Sequence, residues 1–158
     1  KSHEDGETTS GLLHSPINDQ LGRRSMFIKI LAAIDGKDSS IKALMEAKRM
    51  AVSNHGTLRI VYVATEDTDP KASLRLLAQA KSAVGDGVTV DTRVLHTEAM
   101  YGVTGIVDSL ANGAREWGAD LVVVGSSYRG ALERWVIGSV AEQLIDKIDA
   151  SVLLVRSH

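Results

Sequence analysis

The chain has 158 residues and a mass of 16.9 kDa, with 44% hydrophobic and 24% charged residues, which is the size and composition of one globular domain with its own core. A formal net charge of -2 gives no overall basic field for nucleic acid or for an anionic membrane surface. The lack of cysteine excludes disulfides, thiolate catalysis and cysteine metal sites, and no apolar run approaches the ~20 residues of a membrane-spanning helix.

Residues 1–25 are polar and rich in Ser, Thr, Gly and Asp, with no sustained period, and they read as an extended tail, native or in part vector-derived, that is either disordered or docked through Leu12, Leu13 and Ile17. Met26 opens the domain, which is expected to run over 26–158. Phe27 to Ile34 is nearly continuous apolar sequence, as expected of a strand covered on both faces. Asp38-Ser39 is the expected N-cap of a helix with the stripe Ala43, Leu44, Ala47, Met50 and Ala51, which stops near Gly56. Leu58 to Ala64 reads as the second strand, and Asp69-Pro70 opens a helix carrying Leu74, Leu77 and Ala78.

Val88 to Leu95 alternates apolar Val88, Val90 and Val94 with Thr89, Asp91 and Arg93, the pattern of an edge strand with one wet face. Ile106, Leu110, Gly113, Ala114 and Trp117 line a helix that ends at Gly118. Leu121 to Val124 is a buried strand, Gly138 or Ser139 starts the last helix, and Val152 to Val155 is the last strand. Five strands separated by helices predict an α/β fold: an open, five-stranded parallel sheet with helices on both faces. Ligands of such sheets bind beyond the carboxyl ends of the strands, where Asp35-Gly36, Val63-Ala64 and Gly125-Ser126 are expected to fall.

The stretch Val122 to Gly130 runs from an apolar strand into a small-residue loop, and Gly138-Ser139-Val140-Ala141 opens a helix after it. Unpartnered backbone N–H groups at such a loop and helix start surround an anion, so a nucleotide's phosphate is the first ligand expected. The histidines at 3, 14, 55, 96 and 158 show no metal-ligand spacing, and only His96, just beyond a strand end, is a candidate for a functional role. Neither a Gly-x-Ser-x-Gly elbow nor a Walker lysine loop occurs.

Five segments together resemble the universal stress protein family over Met26 to His158. They are Ile34-Asp35-Gly36 with Ser40 and Ala43-Leu44, Tyr62-Val63, Gly118 through Ser126, Gly138 through Glu142, and Val152-Leu153-Leu154-Val155. The resemblance implies the fold class of adenine nucleotide alpha hydrolases, a strand order of 3-2-1-4-5 and a homodimer. The family's nucleotide-binding members carry Gly-x-x-Gly, nine residues, then Gly-Ser or Gly-Thr. Gly125 fits the first position and Gly138-Ser139 the last pair, while Tyr128 stands at the second, with Gly130 two residues later. A glycine there lets backbone approach a phosphate; a tyrosine blocks the pocket, swings outward, or stacks on a base.

Carried over residue by residue, the resemblance implies an adenine nucleotide, ATP, held by residues from four segments. Ile34 and Asp35 end the first strand, and Asp35 contacts adenosine or closes an Asx turn into the helix. Val63 and Val124 supply backbone polar groups and an apolar wall. Gly125, Ser126, Ser127, Tyr128, Arg129 and Gly130 form the loop, and Gly138, Ser139 and Val140 the helix start, where Ser139 is also a natural N-cap. Mg²⁺ would accompany a triphosphate. The expected protein is a cytoplasmic stress-response module whose nucleotide state alters the surface it shows to a protein partner. The alternative is a homodimeric interaction protein with its pocket closed by Tyr128.

Val152, Leu153, Leu154 and Val155 are the expected dimer strand, with neither nucleic acid nor membrane as a partner. Asp35-Gly36-Lys37-Asp38-Ser39 in part resembles the Ser-Gly-Gly-x-Asp-Ser loop of the ATP pyrophosphatase family. Ile34 and Asp35 replace its first Ser and Gly, putting a carboxylate where a phosphate must approach, so catalysis is not expected.

Overall fold

The computed structural model describes residues 26–126, 128 and 139–156. The tail expected over 1–25 lies outside these residues. In chain order the elements are β1 (Lys29–Ile34), α1 (Asp38–Ser53), β2 (Thr57–Ala64), α2 (Pro70–Val84) and β3 (Thr89–His96). A 3₁₀ turn (Ala99–Tyr101) leads into α3 (Gly102–Trp117), followed by β4 (Leu121–Gly125), α4 (Ser139–Lys147) and β5 (Ser151–Val155). All strand pairs are parallel, in the order β3-β2-β1-β4-β5. The chain therefore reverses its direction of sheet growth between β1 and β4, which pair through Ile30–Leu121, Leu31–Val122 and Ala32–Val123.

Alternation along the strands divides the core into two layers. Ile30, Ala32, Ile34, Leu58, Ile60 and Val123 face α1 and α2, where they meet Ala43, Leu44, Ala47 and Leu77. Leu31, Ala33, Val61, Val63, Val122 and Val124 face α3 and α4, where they meet Val107, Leu110 and Leu144. β1 and β4 are apolar at nearly every position because both of their faces are covered. Among the described residues β3 pairs only with β2, and its positions are half-buried or exposed, as its alternating sequence predicts.

Several boundaries differ from the sequence expectation for local reasons. β1 begins at Lys29 rather than Phe27, because the Ile28 and Lys29 amides donate to the Asp120 carboxylate (2.9 and 3.1 Å). Asp120, inside the motif shared with the stress protein family, thus fastens the start of β1 beside the start of β4, at the end of the sheet away from the expected ligand. Asp38 and Ser39 lie inside α1, whose N-cap is Lys37. In α2 the buried stripe is Ser73, Leu77, Ala80 and Val84, so Leu74 (62% exposed) and Ala78 point outward; it is Leu77, Ala80 and Val84 that pack into the core layer with β1, β2 and α1. Asp69 accepts from the Lys71 amide, as an N-cap should. α3 closes on Gly118 at φ 80°, a left-handed conformation that costs glycine little.

On the wet face of the β2–β3 edge, Arg59 makes a two-pronged pair with Asp91 (both 2.8 Å) and stacks on Trp117, its guanidinium 4.6 Å from the ring centre. Hydrogen bonding to Arg59 holds the Asp91 carboxyl below its ordinary aspartate value. A carboxyl depressed in the folded state adds stability above its unfolded value, and that stability is lost as pH falls through the folded value. Wild type is therefore expected to lose more stability than Asp91→Asn on passing from neutral pH to below the carboxylate range, as read by denaturant titration. The difference should stay under about 1 kcal/mol, because the carboxyl is half-exposed.

Candidate functional site

The carboxyl ends of β1 and β4 stand side by side at the reversal point, with α1 rising from one and the segment leading to α4 from the other. Ile34 is fully buried as the last residue of β1, and Asp35 follows it, half-buried, at the crest. The Asp35 Oδ1 accepts from the Lys37 amide (2.9 Å), an Asx turn that carries the chain into α1. Ser40 locks this turn from beneath. Its hydroxyl accepts from the Asp35 amide (3.3 Å) and donates to the Lys37 carbonyl (2.8 Å), and the residue is fully buried. A serine three residues inside a helix has no such role in the sequence pattern; the fold of the turn back over α1 creates it.

Gly125 ends β4 directly against the first turn of α1. A Cβ built on it would lie 2.8 Å from the Ser39 carbonyl oxygen and 3.1 Å from the carbonyl carbon. Its lack of a side chain lets the strand end and the helix start touch, a stronger requirement than the tight turn expected from sequence. The turn itself is present, closed by the Tyr128 amide donating to the Gly125 carbonyl (3.1 Å).

Tyr128 is 1% exposed and belongs to the layer between the sheet and α3 and α4, with Val124, Val140 and Leu144. Of the three arrangements expected for this residue, outward rotation is corrected: the ring is buried in the apolar layer that Val124, Val140 and Leu144 form. Val63 and Val124 are buried core on the same face, each at or next to a strand end. Val140, in the first turn of α4, is buried there too.

The expectation of a ring of unpartnered amides also changes. The Ser126 amide donates to Val155 O (2.8 Å), continuing the β4–β5 ladder by one residue, and the Tyr128 amide closes its turn. The amides of Asp35 and Lys37 are bonded internally as well. These four N–H groups are therefore not available to an anion in this arrangement. Ser127, Arg129, Gly130 and Gly138 lie outside the described residues, as does the side chain of Ser139. Among the described residues, no group of three or more His, Asp or Glu side chains is arranged to hold a metal ion, and no helix is long and apolar enough to cross a membrane.

Residues 26–156 match the family model described as the Universal stress protein family. The chain belongs to the universal stress protein family. It is 29% identical over 155 residues to the universal stress protein YxiE of Bacillus subtilis (strain 168), a match that covers 83% of this chain and 100% of YxiE. The fold is that of a universal stress protein solved in complex with cAMP (22% identity, TM-score 0.67, 85% of this chain and 100% of that one). It is also that of the universal stress protein from Archaeoglobus fulgidus in complex with dAMP (20% identity, TM-score 0.63, 82% and 98%). Within this family setting, the residues of the shared motifs divide by what they do in the fold. Gly118 and Asp120 serve the fold at the amino end of the sheet, and Gly125 and Ser40 shape the crest.

Proposed function

We propose that this universal stress protein binds an adenine nucleotide, ATP with Mg²⁺ or a monophosphate, in the crevice above β1 and β4, and that occupancy changes the surface it offers a partner. The observation that carries this reading is the meeting of two helix-leading strand ends at the reversal point, with Asp35 on one and Gly125 on the other. The nucleotide complexes of two proteins of the same fold support it. In this reading Asp35 and the backbone near Val63 recognise the adenosine. The phosphates meet the start of α4 at Ser139 and Val140, together with Ser127, Arg129, Gly130 and Gly138, because the Ser126 and Tyr128 amides are engaged within the fold. A place in the cytoplasm and a role in stress response go with the family.

Calorimetric titration of the full chain with ATP, AMP and cAMP, with and without Mg²⁺, is expected to give saturable heat for at least one of them. No heat and no thermal shift at millimolar nucleotide would remove the proposal. A partner effect further requires that the ligand prefer one of two states of the protein, since equal affinity for both moves nothing.

The second reading is a homodimeric interaction protein with its pocket closed. Tyr128's burial and the engaged amides favour it. β5 supports the dimer in either reading: among the described residues it pairs only with β4, and its other edge would invite a second copy. Val152→Lys or Leu154→Lys should shift sedimentation to the monomer while circular dichroism stays native; a dimer that survives would assign the interface elsewhere.

A further inference from the structure

A second concave site lies at the same end of the sheet but on its other flank, where β2 and β3 end beneath the start of α2. It is a cavity of about 390 Å³ with walls from Ala64, Pro70, Leu74 and Val94, and His96 also lines it. That volume is in the range of small-molecule pockets. Ala64 and Val94 come from the face of the sheet that carries α1 and α2, whereas Val63 faces the opposite layer. The cavity thus lies on the β3 side of the end of β2, whereas the β1–β4 reversal point lies on the other side of that strand.

Its polar groups are sorted. The Thr65 and Thr68 hydroxyls belong to the turn: Thr68 Oγ1 accepts from the Thr65 amide (3.0 Å) and Thr65 Oγ1 from the Asp67 amide (3.2 Å). Ser73, by contrast, is 1% exposed, and its hydroxyl has no hydrogen-bond partner among the described residues. An unpartnered buried hydroxyl is costly, and a χ1 rotation is all that a serine needs to offer it to a group seated in the cavity it lines. Of the residues lining the cavity Glu66 is acidic and His96 basic, and Lys71 follows Pro70 just outside the lining. Asp67 and Asp69 share the loop of Glu66, and no Lys or Arg is among the lining residues. The Glu66 carboxylate accepts from the Ala99 amide (2.8 Å), which holds its titration below the usual glutamate value.

We propose that this cavity is a ligand site distinct from the nucleotide crevice, and that it takes a compact aromatic amine. The ring fills the apolar space between Pro70, Leu74 and Val94, a ring N–H donates to the Ser73 hydroxyl, and the ammonium faces Glu66. Anionic ligands of the same shape are repelled, which separates this site from one built for phosphate.

Amide NMR of the isotope-labelled full chain tests it with three probes of one ring system: tryptamine, indole and indoleacetate. Tryptamine is expected to shift the resonances of Thr65 to Thr68, Ser73, Leu74 and Val94 to His96 saturably, and to bind more tightly than indoleacetate. Ser73→Ala should weaken tryptamine about 3- to 10-fold, the range of one hydrogen bond. Glu66→Gln keeps the acceptor for Ala99 and should abolish the preference for tryptamine over indoleacetate, a readout that stands even if Ser73→Ala does not fold. The proposal is overturned by absent or unsaturable shifts, by shifts confined to other residues, or by indoleacetate binding as well as tryptamine. Displacement of tryptamine by ATP would also overturn it, by making the cavity part of the nucleotide crevice, whereas failure to bind ATP leaves it standing.

Discussion

Replacing Tyr128 with glycine is expected to lower the stability of the fold by about 3–5 kcal/mol, the cost of removing a buried aromatic ring and leaving its cavity. The ring is 1% exposed in the layer that includes Val124, Val140 and Leu144, so the loss falls on the junction between β4 and α4. Denaturant unfolding reads the stability, and calorimetry with ATP reads the crevice. If the ring serves only the core, nucleotide affinity should not rise in the variant, and wild type should bind already. If wild type is silent and the variant binds, the ring is a plug and the closed-pocket reading is correct. A variant as stable as wild type would show that the ring does not occupy the core at all. Tyr128→Leu provides the control, since it keeps apolar volume while removing the phenol, and it should recover most of the lost stability.

Gly125→Ala is the second large effect. The added methyl would stand 2.8 Å from the Ser39 carbonyl oxygen, and backbone cannot rotate away as a side chain can. Either β4 or the first turn of α1 must move, at a cost of about 1–3 kcal/mol. Movement of α1 would also disturb the Ser40 bridge between Asp35 and Lys37, so nucleotide affinity should fall together with stability. Gly113→Ala makes the comparison. Its methyl would meet Leu95 Cδ1 at 2.9 Å, the far end of a flexible side chain, and alanine favours the interior of α3 by up to ~1 kcal/mol. That variant should be near neutral in unfolding. Equal losses in the two variants would mean that the backbone contact at Gly125 is not what excludes a side chain there.

These two positions show where sequence reasoning reached and where it stopped. The strand order implied by the family resemblance is the observed one, and the continuous apolar character of 30–34 and 121–124 follows from burial on both faces. The edge character of β3 was legible for the opposite reason, since Thr89, Asp91 and Arg93 alternate with valines and only one face is covered. Asp69-Pro70 marked the start of α2 because a cap and a first-turn proline act within a few residues. The face that α2 buries was not legible: Ser73 is inside and Leu74 outside, which hydrophobicity alone orders the other way.

Asp35 was legible as a crest residue, because the end of a buried strand and the Asp-Gly turn are both local signals. The engagement of the Ser126 amide by Val155 was not, since those residues meet only after β5 pairs with β4.

By itself the chain determined its family, its parallel sheet and the end of that sheet where helices begin, because periodicity, caps and short motifs are set by neighbours in sequence. Tertiary structure alone decided that the Ser126 amide is engaged by Val155, that Tyr128 is buried, why Gly125 tolerates no side chain, and that Ser73 lines a second cavity beside Glu66. Each of those outcomes depends on a contact between residues distant in sequence, and such contacts exist only once the layers have packed.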